Sequence, residues 1–264
     1  MTYNFYALKR ATLQCLLAFT VSSSTAASLG QDEIEQKPAY TVLKTLPHDT
    51  AIFTQGLISN NKTLIESSGL YGKSFIRIYT AETGETLKHH NLSPEIFAEG
   101  LTLFNHQLYL LTWRAGVLFV LDPTSLSVKK TLRYKGEGWG ITHDNAFLYT
   151  SDGSQQITRR DPASFKPLSK IAVTDTVSGK PVLQLNELEY AHQRLWANQW
   201  RSNTIWSIDP ATGKAQAIDL SELVPAELRV RTDKVLNGIA YDPQADAFWV
   251  TGKNWPVRYL VDIP

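Results

Sequence analysis

The chain has 264 residues, 43% of them hydrophobic and 19% charged, and is long enough to bury a sizeable core as one large domain or two small ones. Its 26 basic residues nearly balance its 25 acidic ones, which gives a net charge of +1. A nucleic-acid-binding protein needs a concentrated excess of Lys and Arg, so this balance argues against that class. Seven tryptophans all fall between Trp113 and Trp255.

The N-terminal segment has the composition of a secretory signal peptide. Two basic residues precede a mostly apolar run, residues 11–21, which is too short to span a bilayer, and a small-residue tract, 22–28, offers a cleavage site. The alternatives are a retained N-terminal anchor or a buried helix. We expect residues 1–27 to be a cleaved signal peptide and residues 28–39 a flexible leader, which predicts a periplasmic or secreted protein.

Cysteine and histidine usage limits the possible chemistry. The single cysteine, Cys15, lies in the apolar run, so the mature protein would have no disulfide, no cysteine nucleophile and no cysteine-based metal site. The six histidines show no metal-ligand spacing, and the pair His89 and His90 is expected in a solvated turn. The sequence therefore predicts no metal and no cofactor.

From residue 40 onward the pattern is typical of β-strands. Residues 40–46 form the first predicted strand, which ends at Pro47. Beyond it, short apolar or alternating runs are separated by Gly, Asn, Asp and Pro, with hardly any helical periodicity. The best helical candidate, residues 221–228, contains a proline and is at most a short excursion between strands.

Five sites repeat one design, in which a polar or aromatic residue precedes a small or turn-type residue and a strand-like run. The sites are Gln55-Gly56-Leu57, Glu99-Gly100-Leu101, Trp139-Gly140-Ile141, Asn186-Glu187-Leu188 and Asn237-Gly238-Ile239. Their middle residues are separated by 44, 40, 47 and 51 positions. Turn segments of one type, such as 122–125 and 161–164, join the third and fourth strands. Four-stranded repeats of this length are typical of propeller blades.

Five repeats predict an all-β fold, a five-bladed β-propeller with four antiparallel strands per blade over residues 40–264. The last repeat lacks one strand, and the strand at residues 40–46 has no repeat of its own. We therefore expect the N-terminal strand to complete the last blade and to close the ring without a bare edge. The alternative is a β-sandwich with accidental spacing, which leaves the spare first strand and the missing last strand unexplained.

The propeller topology predicts a site at one face of the ring. Because the first strand of each blade runs along the central channel, the residues just before these strands converge at one opening. They are Gln55, Glu99, Trp139, Asn186 and Asn237, with Glu99 as the only carboxylate. The ends of the second strands return to the same face and add Ser67, Ser68, Trp113, Asp152, Trp200 and the segment 252–255, which includes Lys253 and Trp255.

This mixture of side chains predicts proton transfer on a small ligand. A Glu among tryptophans has its anion desolvated, so its pKa should rise and it can exchange protons near neutral pH. Amide and ammonium groups can hold a carboxamide and stabilise charge on its oxygen. Aromatic walls suit a small, partly apolar ligand. The pattern fits a small uncharged amide or a sugar without deciding between them.

Several motifs together resemble the glutaminyl-peptide cyclotransferases of the plant and bacterial type. They are Phe53-Thr54-Gln55-Gly56-Leu57, the run from Glu66 to Ser74, Phe97-Ala98-Glu99-Gly100-Leu101, Leu111-Thr112-Trp113, Gly136-Glu137-Gly138-Trp139-Gly140, Leu185-Asn186-Glu187-Leu188-Glu189, Ala197-Asn198-Gln199-Trp200 and Thr251-Gly252-Lys253-Asn254-Trp255. The resemblance covers the whole predicted mature chain. It implies a five-bladed propeller that converts N-terminal glutamine to pyroglutamate and releases ammonia without a metal. The animal enzymes of this reaction are zinc proteins on another fold.

The resemblance also implies residue roles. It makes Glu99 the acid/base residue, and it places Phe53, Gln55, Phe97, Trp113, Trp139, Asn186, Trp200 and Lys253 in the substrate pocket. Ala98 departs from the family pattern, in which a glycine stands between the Phe and the Glu. The expected partners are peptides or proteins with N-terminal glutamine, bound by a monomer that has no membrane association after signal cleavage.

Other residues have plainer interpretations. Trp196 is expected to pack between blades, and Trp206 and Trp249 within the core. Glu137, Glu187 and Glu189 are expected to accept hydrogen bonds between blades.

Two rival functions remain at this point. A propeller lactonase or glycan-acting hydrolase would need a metal-binding cluster or a second catalytic carboxylate, which the predicted ring lacks. A binding module would capture a peptide N-terminus at the same face without chemistry.

Overall fold

The computed structural model describes residues 39–231 and 233–264. The predicted signal peptide, and all of the predicted leader except residue 39, lie outside the described residues. Within this part of the chain are twenty-one β-strands and two one-turn 3-10 helices. None of the described helices has the length and apolar character needed to cross a bilayer.

The strands group into five sheets in chain order, which confirms the predicted five-bladed propeller. Blade 1 consists of β2 (Thr54–Asn60), β3 (Thr63–Ser68), β4 (Phe75–Thr80) and β5 (Thr86–Asn91). Blade 2 consists of β6 (Ala98–Phe104), β7 (Gln107–Thr112), β8 (Val117–Leu121) and β9 (Val128–Arg133). Blade 3 consists of β10 (Ile141–His143), β11 (Leu148–Thr150), β12 (Gln156–Arg160) and β13 (Pro167–Ala172). His89 and His90 belong to β5, so the prediction of a solvated turn there is wrong.

Blade 4 carries one strand more than predicted. Its antiparallel strands are β15 (Leu185–Ala191), β16 (Arg194–Gln199), β17 (Thr204–Ile208) and β18 (Lys214–Asp219). A fifth strand, β14 (Thr174–Asp175), pairs in parallel with the outer edge of β18. The connection from blade 3 runs along that edge, where the amide of Thr174 donates to the carbonyl oxygen of Gly213 at 2.9 Å.

Blade 5 is built from two distant parts of the sequence. Its strands are β19 (Leu236–Asp242), β20 (Ala247–Gly252), β21 (Val257–Asp262) and β1 (Thr41–Pro47). The antiparallel pairing of β1 with β21 runs from Thr41 opposite Asp262 to Pro47 opposite Val257. The predicted closure of the last blade by the N-terminal strand is thus confirmed. Between blades 4 and 5 lie the helices η1 (Ser221–Leu223) and η2 (Ala226–Leu228), which confirm the short helical excursion.

The repeated glycines are explained by crowding at the axis. The first strands β2, β6, β10, β15 and β19 contact one another in turn around the channel. A Cβ on Gly100 would lie 2.8 Å from the Cα of Gly140, and a Cβ on Gly140 would lie 2.8 Å from the Cα of Glu187. Since no real Cβ contact is that short, a side chain at either position would push the inner strands apart.

Apolar clusters between neighbouring blades form the core. The ring of Trp196 packs against that of Phe248 with centroids 4.6 Å apart, which joins blades 4 and 5 as predicted. Trp206 and Trp249 are buried in two further clusters, which confirms their predicted packing role. Glu187 accepts hydrogen bonds from the amides of Leu57 and Ile239, at 3.2 and 2.9 Å, and so links blades 4, 1 and 5.

A buried polar cluster stabilises the junction between blades 5 and 1, where the ring closes. His48, which follows β1, places Nδ1 3.0 Å from the carbonyl oxygen of Trp255 and Nε2 3.1 Å from the carboxylate of Glu66. Both neighbours are acceptors, so both ring nitrogens donate. Burial alone would raise the pKa of Glu66, but the His48 ring, Arg77 and the Thr54 hydroxyl outweigh it and lower that pKa. The His48–Glu66 pair therefore joins the N-terminal strand to blades 1 and 5.

Candidate active site

β-bulges in the first strands aim the polar side chains at the channel opening. The pairing with the second strand shifts register between Thr54 and Gly56, Ala98 and Leu101, Leu185 and Leu188, and Leu236 and Ile239. Each shift encloses one of the predicted ring residues Gln55, Glu99, Asn186 and Asn237, and the last three shifts also enclose the residue that follows it. A bulge redirects a side chain and ends regular pairing, which lets Gln55, Glu99 and Asn186 face the opening.

A cavity of about 210 Å³ lies at this opening. Its lining contains all nine residues predicted for the site together with Leu70, which the sequence did not indicate. The lining residues are Phe53, Gln55, Leu70, Phe97, Glu99, Trp113, Trp139, Asn186, Trp200 and Lys253. The structure therefore brings the predicted residues together, while their roles in binding and proton transfer remain predictions.

Glu99 is the buried acid of the cavity. Its exposed fraction is 4%, and Gln55 donates from Nε2 to its Oε1 at 3.1 Å. Burial raises the pKa of Glu99 well above its usual range; the charge of Lys253 opposes this rise and the charge of Glu137 adds to it. Desolvation thus makes the Glu99 anion less stable than the anion of an exposed carboxyl.

Lys253 is the buried base of the cavity. Its Nζ lies 4.7 Å from the ring centroid of Phe53, and only 5% of the residue is exposed. Burial lowers the pKa of Lys253 to about 8, against the opposing charge of Glu99. The ammonium is therefore present at neutral pH and is lost in mild alkali.

Aromatic rings enclose the cavity on two sides. On one side the ring of Phe97 lies 5.3 Å from that of Trp113, with Phe53 edge-on to Phe97 at 6.4 Å. On the other side the indoles of Trp139 and Trp200 meet edge to face at 5.6 Å. Such walls bind the methylene groups of a small side chain and exclude water.

Glu137 fixes two of these walls. Its Oε2 accepts from the indole nitrogens of Trp113 at 2.8 Å and Trp139 at 3.0 Å, and its Oε1 accepts from Nε of Arg114 at 2.8 Å. The hydrogen bonds join blades 2 and 3, which confirms the predicted inter-blade role. Burial would raise the pKa of Glu137, but bonds from Trp139, Arg114 and Trp113 outweigh it and lower that pKa. The sequence did not indicate this effect on the pocket walls.

Asn186 supplies an open acceptor. Its Oδ1 is buried and has no hydrogen-bond partner among the residues that the structure describes. Its own carbonyl oxygen accepts from Ser151 Oγ at 2.5 Å, which fixes the backbone that carries the amide. Because buried polar atoms are normally paired, this oxygen is placed to accept from a ligand N–H.

Leu70 enters the lining through an unusual backbone conformation. Its φ is 87°, a left-handed value that is rare outside glycine and is typical of functional sites. The preceding Gly69 has no room for a side chain, because a Cβ there would lie 2.4 Å from the Phe97 ring. This turn lets Leu70 and Phe97 close on the same cavity.

Several residues predicted for this face do not line the cavity, among them Ser67, Ser68 and Asp152. Trp255 is fully buried and donates from Nε1 to the carbonyl oxygen of Lys234 at 3.0 Å, so its predicted place at the opening is wrong. Asn254, with φ at 57°, turns the chain inward, and Gly252 leaves space for the indole. Asn237 lies beneath the cavity, where its Nδ2 donates to the carbonyl oxygen of Thr54 at 2.9 Å.

Ala98 occupies its position without displacing Glu99. It pairs with Thr112 directly before the register shift, and it packs in the apolar cluster shared by blades 1 and 2. In residues 39–231 and 233–264, no group of three or more His, Cys, Asp or Glu side chains is arranged to hold a metal ion.

The fold and the cavity define a class of protein, a five-bladed propeller with a buried carboxyl and a buried amine in a cavity lined by aromatic rings. Comparison with known sequences assigns the family. The family described as glutamine cyclotransferase matches residues 14–263. The chain belongs to the glutamine cyclotransferase family, which confirms the resemblance carried by the motifs.

Two relatives agree with this assignment. The glutaminyl-peptide cyclotransferase of Arabidopsis thaliana is 39% identical over 227 residues, which cover 84% of this chain and 70% of the relative. The crystal structure of Myxococcus xanthus glutaminyl cyclase matches with a TM-score of 0.78 and 35% identity, over 85% of this chain and 97% of that one.

Proposed function

We propose that this protein converts the N-terminal glutamine of peptides or proteins to pyroglutamate, with Glu99 as the acid/base residue and without a metal. The observation that carries the proposal is the buried Glu99 carboxyl, which faces a cavity with indole walls. Family membership supports the same reaction.

The reaction needs a folded-back substrate. The α-amine attacks the carbon of its own γ-carboxamide, so one C–N bond forms, the bond to the departing nitrogen breaks, and one proton moves from the amine to the ammonia. Trp113, Trp139 and Trp200 would hold the side chain curled, with the amine close to the amide carbon. Such positioning speeds the reaction because the amine and the amide carbon are already held close together.

Glu99 would move the proton. As a carboxylate it accepts the proton from the attacking amine, and as a carboxylic acid it returns that proton to the leaving nitrogen. Both steps need a group whose two forms are close in energy near the working pH. Burial, by raising the pKa of Glu99, brings them close.

Lys253 and Asn186 would bind the carboxamide of the substrate. The Lys253 ammonium stabilises the negative charge that develops on the amide oxygen during attack. The open Oδ1 of Asn186 accepts an N–H of the substrate. Activity should therefore rise with pH as Glu99 and the substrate amine lose protons, and should fall above about 8 as Lys253 loses its own.

The test is the Glu99→Gln variant, which keeps the shape of the side chain and removes the titrating group. We expect kcat for pyroglutamate formation from a glutaminyl dipeptide to fall by about 10²- to 10⁴-fold. The control is Glu85→Gln on an exposed turn, which should match the unmodified protein. The measurement is ammonia release with a chelator present.

The outcomes separate the alternatives. Near-normal turnover by Glu99→Gln would refute the role of Glu99. A loss of turnover with chelator would refute metal independence, and no ammonia under any condition would favour the lactonase or the binding module.

We also propose that the protein acts as a monomer in the periplasm or outside the cell. The N-terminal basic residues, apolar run and small-residue tract support export. The N-terminal sequence of the protein recovered from an expressing bacterium tests this, since cleavage should fall near Ala27. Retention of residues 1–27 would contradict it, and size-exclusion chromatography tests the monomer.

A further inference from the structure

A second cavity, of about 300 Å³, carries four basic side chains over an apolar floor. We call it the basic groove; its cations are Arg201, Arg229, Arg231 and Lys234, and its floor includes Val224 and Leu228. No side chain in its lining is acidic. The net charge of the chain is only +1, so this groove concentrates positive charge on an otherwise balanced protein.

The basic groove borders the active-site cavity. The guanidinium of Arg201 stacks on the indole of Trp200, 4.4 Å from its centroid, and Trp200 is a wall of the cavity. The next groove residue inward, Val235, accepts from the backbone amide of Lys253 at 2.9 Å. Residues of the two linings therefore contact each other at Trp200 and Arg201 and at Lys253 and Val235.

The charge of Arg201 contrasts with that of Arg114, its counterpart on blade 2. Arg114 likewise stacks on a cavity indole, 3.8 Å from the centroid of Trp113, but Glu137 holds its Nε at 2.8 Å. Among the described residues, Arg201 and Lys234 have no carboxylate within ion-pair distance, whereas Arg229 and Arg231 face Glu222 at 3.8 Å and Asp233 at 3.0 Å. The positive charge that remains available thus lies on the blade 4 side of the opening.

We propose that the basic groove binds acidic side chains of the substrate peptide that follow its N-terminal glutamine. The inference rests on the proposed function, because the first residue must occupy the cavity. An extended peptide advances about 3.3 Å per residue, so its third and fourth residues lie beyond the opening, at the groove. Carboxylates there meet two cations with no competing ion pair, while the aliphatic part of the peptide contacts the apolar floor.

The experiment compares two amidated peptides, Gln-Gly-Glu-Glu-Gly and Gln-Gly-Gln-Gln-Gly. At low salt we expect kcat/KM to be about fivefold higher for the acidic peptide, mainly through KM, because each partly exposed ion pair contributes up to about this factor. At 1 M salt, where charges are screened beyond about 3 Å, the two values should converge. Lys234→Gln, alone and with Arg201→Gln, should reduce the ratio to about two or less.

The control and the outcomes keep the two proposals apart. Lys170→Gln removes an exposed cation from blade 3 and should leave the fivefold ratio intact. The proposed role of the groove would be refuted by equal kcat/KM for both peptides in the unmodified protein. It would also be refuted if the double variant kept the preference for the acidic peptide. If neither peptide yields pyroglutamate, the proposed function fails. In that case the fluorescence anisotropy of a labelled acidic peptide tests the groove separately. Salt-sensitive binding that is unchanged in the Lys234→Gln plus Arg201→Gln variant would contradict peptide binding at the groove.

Discussion

At the scale of single residues, the proton affinity of Glu99 is set by its neighbours. Burial raises its pKa, Lys253 favours the anion, and Glu137 disfavours it from behind the indole walls. The pKa values of the two carboxyl groups are shifted in opposite directions for a physical reason. Glu137 accepts three hydrogen bonds from N–H donors, whereas Glu99 accepts one from Gln55.

Glu137→Gln tests this coupling. Removal of the Glu137 charge lowers the pKa of Glu99, so the rising limb of the kcat/KM profile should move to lower pH. KM should rise as well, by about tenfold, because a neutral amide oxygen holds the indoles of Trp113 and Trp139 less strongly. The measurement is a pH profile on a glutaminyl dipeptide, with Glu85→Gln as the control. A rising limb that does not move would mean that the charge of Glu137 does not affect the pKa of Glu99.

At the scale of elements, the inner-strand bulges and the turn after β3 shape the cavity. Gly69 ends the sheet of blade 1 on the cavity side, and an added Cβ would meet the Phe97 ring at 2.4 Å and Gln55 Cγ at 2.9 Å. The backbone at Gly69 has no positive φ, so an alanine there acts through this clash alone.

Gly69→Ala is therefore expected to damage the site more than the fold. Displacement of Phe97 or Gln55 should lower kcat/KM by about 10- to 100-fold, since a shift of about 1 Å can cost that much. The urea midpoint should change little, because Phe97 lies at the surface of the cavity. Phe97→Leu added to Gly69→Ala restores space and should recover part of the activity. A large loss of stability in Gly69→Ala would contradict this account.

The same elements mark the limits of sequence-based prediction. Spacing alone located the bulge residues Gln55, Glu99 and Asn186, because the design repeats in every blade. It failed for Trp255, since the left-handed turn at Asn254 reverses the direction that strand alternation implies. Leu70 was missed for a similar reason: nothing in a leucine indicates a φ of 87°.

At the scale of the whole molecule, the predicted ring closure is correct, but the His48–Glu66 pair that stabilises it was not predicted. The sequence indicated only that the first strand ends at Pro47 and gave no role to His48. The structure buries His48 against Glu66 with no exposed side-chain area on either residue. A long-range pair of this kind has no local sequence pattern, because its partners belong to different blades.

His48→Ala should leave the Glu66 carboxylate buried without its main partner. Loss of one member of a buried ion pair costs about 3–5 kcal/mol, so the free energy of unfolding in urea should fall by about that amount. His90→Gln, on the outer strand β5, is the control and should stay within about 0.5 kcal/mol. A change in His48→Ala no larger than in the control would show that Arg77 alone compensates Glu66.

The pairing of β1 with β21 has a consequence for how the protein is made. Thr41 meets its partner Asp262 only when almost the whole polypeptide has been synthesised, and contacts between such distant residues form late and slowly. Until β1 pairs with β21, the edges of both strands are unpaired and the ring cannot close. A chain whose ring stays open until β21 is available would still be able to pass through a narrow secretion channel, which suits the export that we propose.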